Sequence, residues 1–149
     1  YKGYVYMSPK QKGEYGERIV ADYMISKGCD VKRAHTSTAG YDRIINGKKI
    51  EIKFSLSTRK KGSVCKDSFM INHISLKKDW ERLIFFGINL DGDHRLIWFT
   101  KEDFIANIKS EKSLFAHQQG GKSIKNDDFM STRISDLLAA PWTKHIKEW

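Results

Sequence analysis

Apolar positions fall first at helical spacing, then at strand spacing through the middle of the chain, then at helical spacing again. Tyr15, Ile19, Val20, Tyr23 and Met24 make one stripe of a helix. Ser8-Pro9-Lys10-Gln11 supplies its start, with Ser8 as N-cap, Pro9 at the first helical position and Gln11 closing a capping box. The helix is expected to run to about Lys27, and Gly28 suits the left-handed position that ends it. Glu17 sits at the edge of the stripe beside Met24, whereas Glu14 lies further round into solvent. Ahead of this helix, Tyr1 to Tyr6 alternates aromatic and small residues, as a short strand or an arm would.

Val31 to Ala34 reads as a short strand, and the polar loop from His35 to Gly40 delivers the chain to Asp42. Asn46-Gly47 then lies between two β-rich runs, the strongest short hairpin signal, because a type I′ turn needs positive φ at both central residues. A two-residue turn fixes the register: Ile45 faces Lys48, Arg43 faces Ile50, and Asp42 faces Glu51. Period-two alternation puts Lys53 on the face of Glu51 and turns Ile50, Ile52 and Phe54 the other way. Further on, Phe69 to Ile74 predicts another strand. Arg82 to Leu90 is nearly continuously apolar, as in a strand buried on both faces. Asp91-Gly92-Asp93 turns the chain, and His94 to Phe99 returns beside it. Thr100 to Asp103 caps a helix reaching about Ser110. A last short helix spans Ser135 to Ala140, halted by Pro141, with Trp142 folded back on the core. The sum is an α/β sandwich with a central mixed sheet flanked by helices.

The 149 residues suit a single domain, residues 1–149, able to bury a core without staples. Lys and Arg outnumber Asp and Glu by 27 to 18, a formal charge of +9 that favours a polyanionic partner. Cys29 and Cys65 lack metal spacing and are too few for a disulfide framework, and the five histidines show no ligand spacing. No apolar run reaches the roughly 20 residues that span a bilayer, and no signal peptide is visible, so the expected location is the cytoplasm and no membrane partner is expected.

Like charges directly opposed across two strands are destabilising. Opposed Asp42 and Glu51 cease to be a liability when a divalent cation sits between them, since hard cations take carboxylate oxygens. The plainer alternative is an exposed hairpin whose charges are solvated, with Glu51 neutralising Arg43 or Lys49. Beyond the hairpin, Ser57 to Gly62 is a basic loop: a solvated charge run, or a phosphate contact through Arg59, Lys60 and Lys61.

The order Glu17, Asp42, Glu51-Ile52-Lys53 resembles the PD-(D/E)XK nuclease superfamily, which includes type II restriction endonucleases and archaeal Holliday-junction resolvases. In that family a glutamate-bearing helix precedes a hairpin whose first strand carries an aspartate and whose second carries Glu/Asp-X-Lys. The matching runs are Lys12-Gly13-Glu14-Tyr15-Gly16-Glu17, Gly40-Tyr41-Asp42 and Ile50-Glu51-Ile52-Lys53. In resolvase-like members the glutamate follows a glycine by four residues, which selects Glu17 over Glu14. The family's nominal proline before the aspartate is Tyr41 here, and the resemblance covers about residues 9–99. It implies a restriction-endonuclease-like fold and a Mg²⁺-dependent DNA endonuclease, with Mn²⁺ as a substitute ion. Asp42, Glu51 and the Ile52 carbonyl would be metal ligands, and Glu17 an outer-shell or second-metal ligand. Lys53 would orient water or stabilise developing negative charge.

The leading expectation is a type II restriction endonuclease cutting duplex DNA as a homodimer. A Holliday-junction resolvase, a homing endonuclease or a toxin nuclease domain would share the chemistry, and a non-catalytic DNA-binding module is the alternative outside enzymes. Arg, Asn and Gln are the usual readers of base edges. By type, Arg59, Asn72, Gln118 and Gln119 are candidates, with Lys122 in the same glycine-bearing loop as the two glutamines.

Overall fold

Helix α1 (Pro9–Ser26) begins as its capping box dictates: Ser8 Oγ accepts the Gln11 N–H at 3.2 Å, and Gln11 Oε1 accepts the Ser8 N–H at 2.8 Å. It ends before Gly28, whose φ of 85° is open to glycine without strain. The computed structural model describes residues 6–36, 38–57, 67–109, 116–117, 130–133 and 138–149. The predicted arm at 1–6 falls almost wholly outside them.

Strand β1 (Val31–Arg33) leads to the hairpin of β2 (Arg43–Ile45) and β3 (Lys48–Leu56). Asn46 and Gly47 both take positive φ, 48° and 77°, as the type I′ turn requires. The register is the predicted one, Ile45 with Lys48 and Arg43 with Ile50. Asn46 also ties the hairpin tip back to the α1–β1 connection, its N–H donating to the Asp30 carbonyl and its Oδ1 accepting the Asp30 N–H.

The main sheet adds β5 (Arg82–Ile88), β6 (His94–Thr100) and β9 (Lys144–His145), in the order β1-β2-β3-β5-β6-β9. Among the described residues only the β3–β5 pairing of this sheet is parallel, so the sheet is mixed. Alternation along β5 explains why its sequence is apolar throughout. Ile84, Phe86 and Ile88 join Val20 and Met24 of α1 and Ile50 and Ile52 of β3 on one face. Leu83 and Phe85 point to the other, into a core with Phe69, Ile71, Trp80, Phe99 and Phe104. Phe104 belongs to α2 (Lys101–Lys109), whose start is capped by Thr100 Oγ1 accepting the Asp103 N–H at 3.1 Å. One helix therefore covers each face, as expected of an α/β sandwich.

The sheet departs from expectation in two places. Strand β4 (Met70–Ile74) is not part of it but joins β8 (Met130–Arg133) and β7 (Ala116–His117) in a second, three-stranded sheet. The reason lies in its side chains: Ile71 and Ile74, with neighbouring Phe69, are spent on the core beneath β5 and β6. The short strand β9 was not foreseen, because two residues carry no periodicity. After it a 3₁₀ turn (Ile146–Glu148) buries Ile146 against the α1-side core. Trp142 does fold back, packing edge-on to Phe99 at 5.3 Å between ring centroids. Of the predicted helix at 135–140, residues 138–139 are helical and 135–137 lie outside the described residues. Among the described residues no helix is long and apolar enough to cross a membrane.

Candidate functional site

The β2–β3 ladder stops at Arg43 and Ile50. One residue earlier the chain leaves register: the Asp42 N–H donates to the Ile50 carbonyl at 2.8 Å, the carbonyl opposite Arg43. Asp42 Oδ2 then accepts the Ile52 N–H at 2.8 Å. A carboxylate has taken the place a backbone carbonyl would hold in a continued ladder. Successive residues of a strand direct their backbone groups to opposite neighbours. Lys49, whose carbonyl accepts the Glu81 N–H, serves the β5 side, whereas Ile50 serves β2. The Ile52 carbonyl therefore lies along the same edge as Asp42.

This corrects the expectation that Asp42 opposes Glu51 as a ladder partner. Ile50 and Ile52 pack toward α1, so Glu51 and Lys53 project from the other face, and Asp42 stands at the edge between the two. Glu17 reaches Asp42 from α1 and Glu51 reaches it from β3. Both carboxyls are pushed up from the usual range to about 7, first by burial and next by the Asp42 charge, with Asp42 in hydrogen-bond reach of each. Arg43 partly offsets this for Glu17; Lys53 and Lys78 do so for Glu51. The Lys53 Nζ lies 3.4 Å from Glu51 Oε1, in a pair whose side chains are only 18% and 11% exposed.

Close packing sets this geometry. Gly16 precedes Glu17 and lies directly on Phe54, with no room for a Cβ atom between them, so α1 rides low over β3. Tyr15 meets the Phe54 ring edge-on at 5.7 Å, and Phe54 stacks on Phe86 at 5.3 Å. On the other side Gly40, two residues before Asp42, lies against the backbone of Lys78 and Asp79, where a Cβ would collide. That loop is held in turn by Lys49 Nζ to Asp79 Oδ2 at 2.6 Å and by Trp80 Nε1 donating to the Ser75 carbonyl at 2.9 Å.

Two basic residues at the site escaped sequence reasoning. The hairpin pattern offers Arg43 as a partner for Glu51, but its Nη1 lies 3.2 Å from Glu17 Oε2 and 3.0 Å from the Asp42 carbonyl. Its place next to Asp42 was the available signal. Lys78 comes from a loop that carries no motif, and only the fold brings its charge to Glu51. The residues named as DNA readers are not brought into view. Arg59, Lys60, Lys61, Gln118, Gln119 and Lys122 lie outside the described residues, as does the side chain of Asn72.

Asp42, Glu51 and the Ile52 carbonyl are oxygen donors gathered at one stretch of β3, a set that suits a hard divalent cation. Among the described residues no three His, Cys, Asp or Glu side chains are grouped to hold an ion by themselves. The fit is therefore to an ion held by two carboxylates and a carbonyl, completed by water or by a substrate phosphate, the usual habit of Mg²⁺. A separate apolar cleft between α1 and β6, lined by Ile19, Tyr23, Phe86 and Leu96 among others, shares no residue with this site.

No protein-family model matches the chain, and no curated protein matches its sequence. Among solved structures, that of a bacterial homing endonuclease, I-Ssp6803I, aligns with 67% of this chain and 74% of its own, at 14% identity and a TM-score of 0.49.

Proposed function

We propose that this chain is a Mg²⁺-dependent endonuclease that hydrolyses phosphodiester bonds in DNA, of the PD-(D/E)XK kind that its motif order resembles. One observation carries the reading: Asp42 leaves its ladder to stand at the edge of β3, where Glu17 and Glu51 converge on it and Lys53 is 3.4 Å from Glu51. Asp42 so placed raises the cost of ionising both Glu17 and Glu51, which a fold selected for stability alone would avoid.

Asp42, Glu51 and the Ile52 carbonyl would hold the ion. When bound there, it would supply Lewis-acid polarisation of the phosphate and easier deprotonation of water. Lys53 directs its ammonium beside Glu51, where it can hydrogen-bond the attacking water or the charge that builds on the phosphate oxygens. Glu17 takes the outer-shell place, and its ion pair with Arg43 fixes that guanidinium against the Asp42 carbonyl. The charge of +9 supports a polyanionic substrate. A restriction-type enzyme cutting duplex DNA as a homodimer is the reading we carry forward, because one such site cuts one strand.

Incubation with phage DNA and with a synthetic four-way junction, in Mg²⁺ or Mn²⁺ and in EDTA, followed by sequencing of the ends, tests this. Discrete duplex fragments with fixed ends are expected. Junction-only cleavage would replace the restriction reading with a resolvase, cleavage at one long site would replace it with a homing enzyme, and intact DNA throughout would overturn the nuclease reading.

A further inference from the structure

Beside Glu17 lies a polar cleft of about 560 Å³ between α1 and the β1–β2 edge, whose lining includes Gln11, Glu14, Arg18, Arg33 and Arg43. Three guanidinium groups share it. Arg33 and Arg43 are direct cross-strand partners in the β1–β2 ladder, a like-charge opposition that costs stability unless an anion lies between. Arg43 has one in Glu17, at 3.2 Å. Arg33 and Arg18 make no ion pair with any of the described residues, and both side chains are exposed. Arg18 stands four residues beyond Glu14 and seven beyond Gln11, so the three line one face of α1 along the cleft.

We infer that this cleft holds the phosphodiester backbone of one DNA strand beside the bond to be cut, with Arg18 and Arg33 as its phosphate-binding residues. The inference rests on the nuclease reading and names the path its substrate takes. A planar guanidinium suits a phosphate because it can donate two parallel hydrogen bonds to it. Arg43 is the joint between the two regions: it faces Arg33 across the ladder and is bonded to the Asp42 carbonyl of the carboxylate site. A backbone gripped by Arg18 and Arg33 would thus lead past Arg43 to the edge of β3. Phosphate contacts of this kind fix register without reading sequence, so specificity should be untouched by their loss.

The test compares Arg18→Gln/Arg33→Gln with a charge-matched control, Lys27→Gln/Lys147→Gln, after melting curves show both folded. Duplex binding is measured in Ca²⁺ over a range of salt, and cleavage in Mg²⁺. The arginine variant should bind about 10-fold or more weakly, with KM raised more than kcat falls and the same ends produced. Its slope of log K against log salt should flatten by roughly 2, since each neutralised phosphate in B-DNA contributes about −0.9. Substrates with single neutral methylphosphonates flanking the cut should slow the wild type at one or two positions and slow the arginine variant no further there. If the wild type cuts DNA while both variants bind alike and share its methylphosphonate profile, this inference falls and the nuclease reading stands. If the wild type neither binds nor cuts, both fall.

Discussion

Replacing Asp42 by asparagine should stabilise the metal-free protein at neutral pH, although it alters a residue at the centre of the site. The wild-type Glu51 carboxyl is raised from 4.5 to about 7, by burial first and by Asp42 second. A raised carboxyl holds its proton longer folded than unfolded, so stability falls as pH climbs from about 4.5 to about 7 and levels off above. At about 1.4 kcal/mol per pH unit the full loss from Glu51 is on the order of 3 kcal/mol. Part of that loss, on the order of 1 kcal/mol, comes from Asp42, through its charge and its hydrogen bond to Glu51. Glu17, whose side chain is 28% exposed beside Arg43, is shifted the same way and adds to the loss over the same pH range. Asparagine keeps an oxygen to accept the Ile52 N–H, now bonded to Asp42 Oδ2 at 2.8 Å. Alanine does not, and a buried donor left without an acceptor costs about 1–3 kcal/mol. Denaturant unfolding between pH 4.5 and pH 8 in EDTA is the assay. Asp42→Asn should exceed the wild type by about 1 kcal/mol at pH 7.5, or roughly 2–4 °C in Tm for a chain of this size. The gap should close toward pH 4.5, and Asp42→Ala should lie below Asp42→Asn at every pH. A gap independent of pH, or equal stability of the two variants, would refute this electrostatic account of the edge.

Gly16→Ala should cost about 1–3 kcal/mol despite alanine's better helix propensity, because the new Cβ meets Phe54; cleavage should fall with it as Glu17 is lifted away, and an unchanged Tm would mean α1 sits higher than described. Millimolar Ca²⁺ should raise the wild-type Tm at pH 7.5 by binding only the folded carboxylates, and Asp42→Asn should lose most of that gain; a full response in the variant would place the ion elsewhere. Glu17→Gln should slow single-turnover cleavage far more than Glu14→Gln, since Glu17 alone of the two is paired with Arg43 and pushed up by the Asp42 charge; equal losses would contradict the assignment.

Local signals were legible where physics is local. The capping box at Ser8 and Gln11, the Asn46-Gly47 turn and the doubly buried β5 follow from rules spanning a few residues, and each appears as read. The register placed Arg43 against Ile50 correctly but could not show that the ladder breaks one pair later. That break depends on Gly40 being pressed against the Lys78–Asp79 backbone and on Asp42 trading its ladder position for the Ile52 N–H. The second sheet was hidden for a related reason, since the alternation of β4 is the same whichever sheet it joins. Arg43 reaches Glu17, and Lys78 reaches Glu51, only through tertiary contacts, to which spacing along the chain is blind.

The central claim, that the edge of β3 is a site for phosphodiester hydrolysis, is tested most directly by separating cleavage from binding at Lys53. Its ammonium sits 3.4 Å from Glu51 and is assigned to the reacting water and phosphate rather than to holding the duplex. Single-turnover cleavage in Mg²⁺ and duplex affinity in Ca²⁺ should be measured for the wild type and for Lys53→Met. The account predicts cleavage by the wild type, a loss of at least about 100-fold in Lys53→Met as expected for a transition-state hydrogen bond, and affinity within a few-fold of wild type. Cleavage by Lys53→Met at the wild-type rate would contradict it.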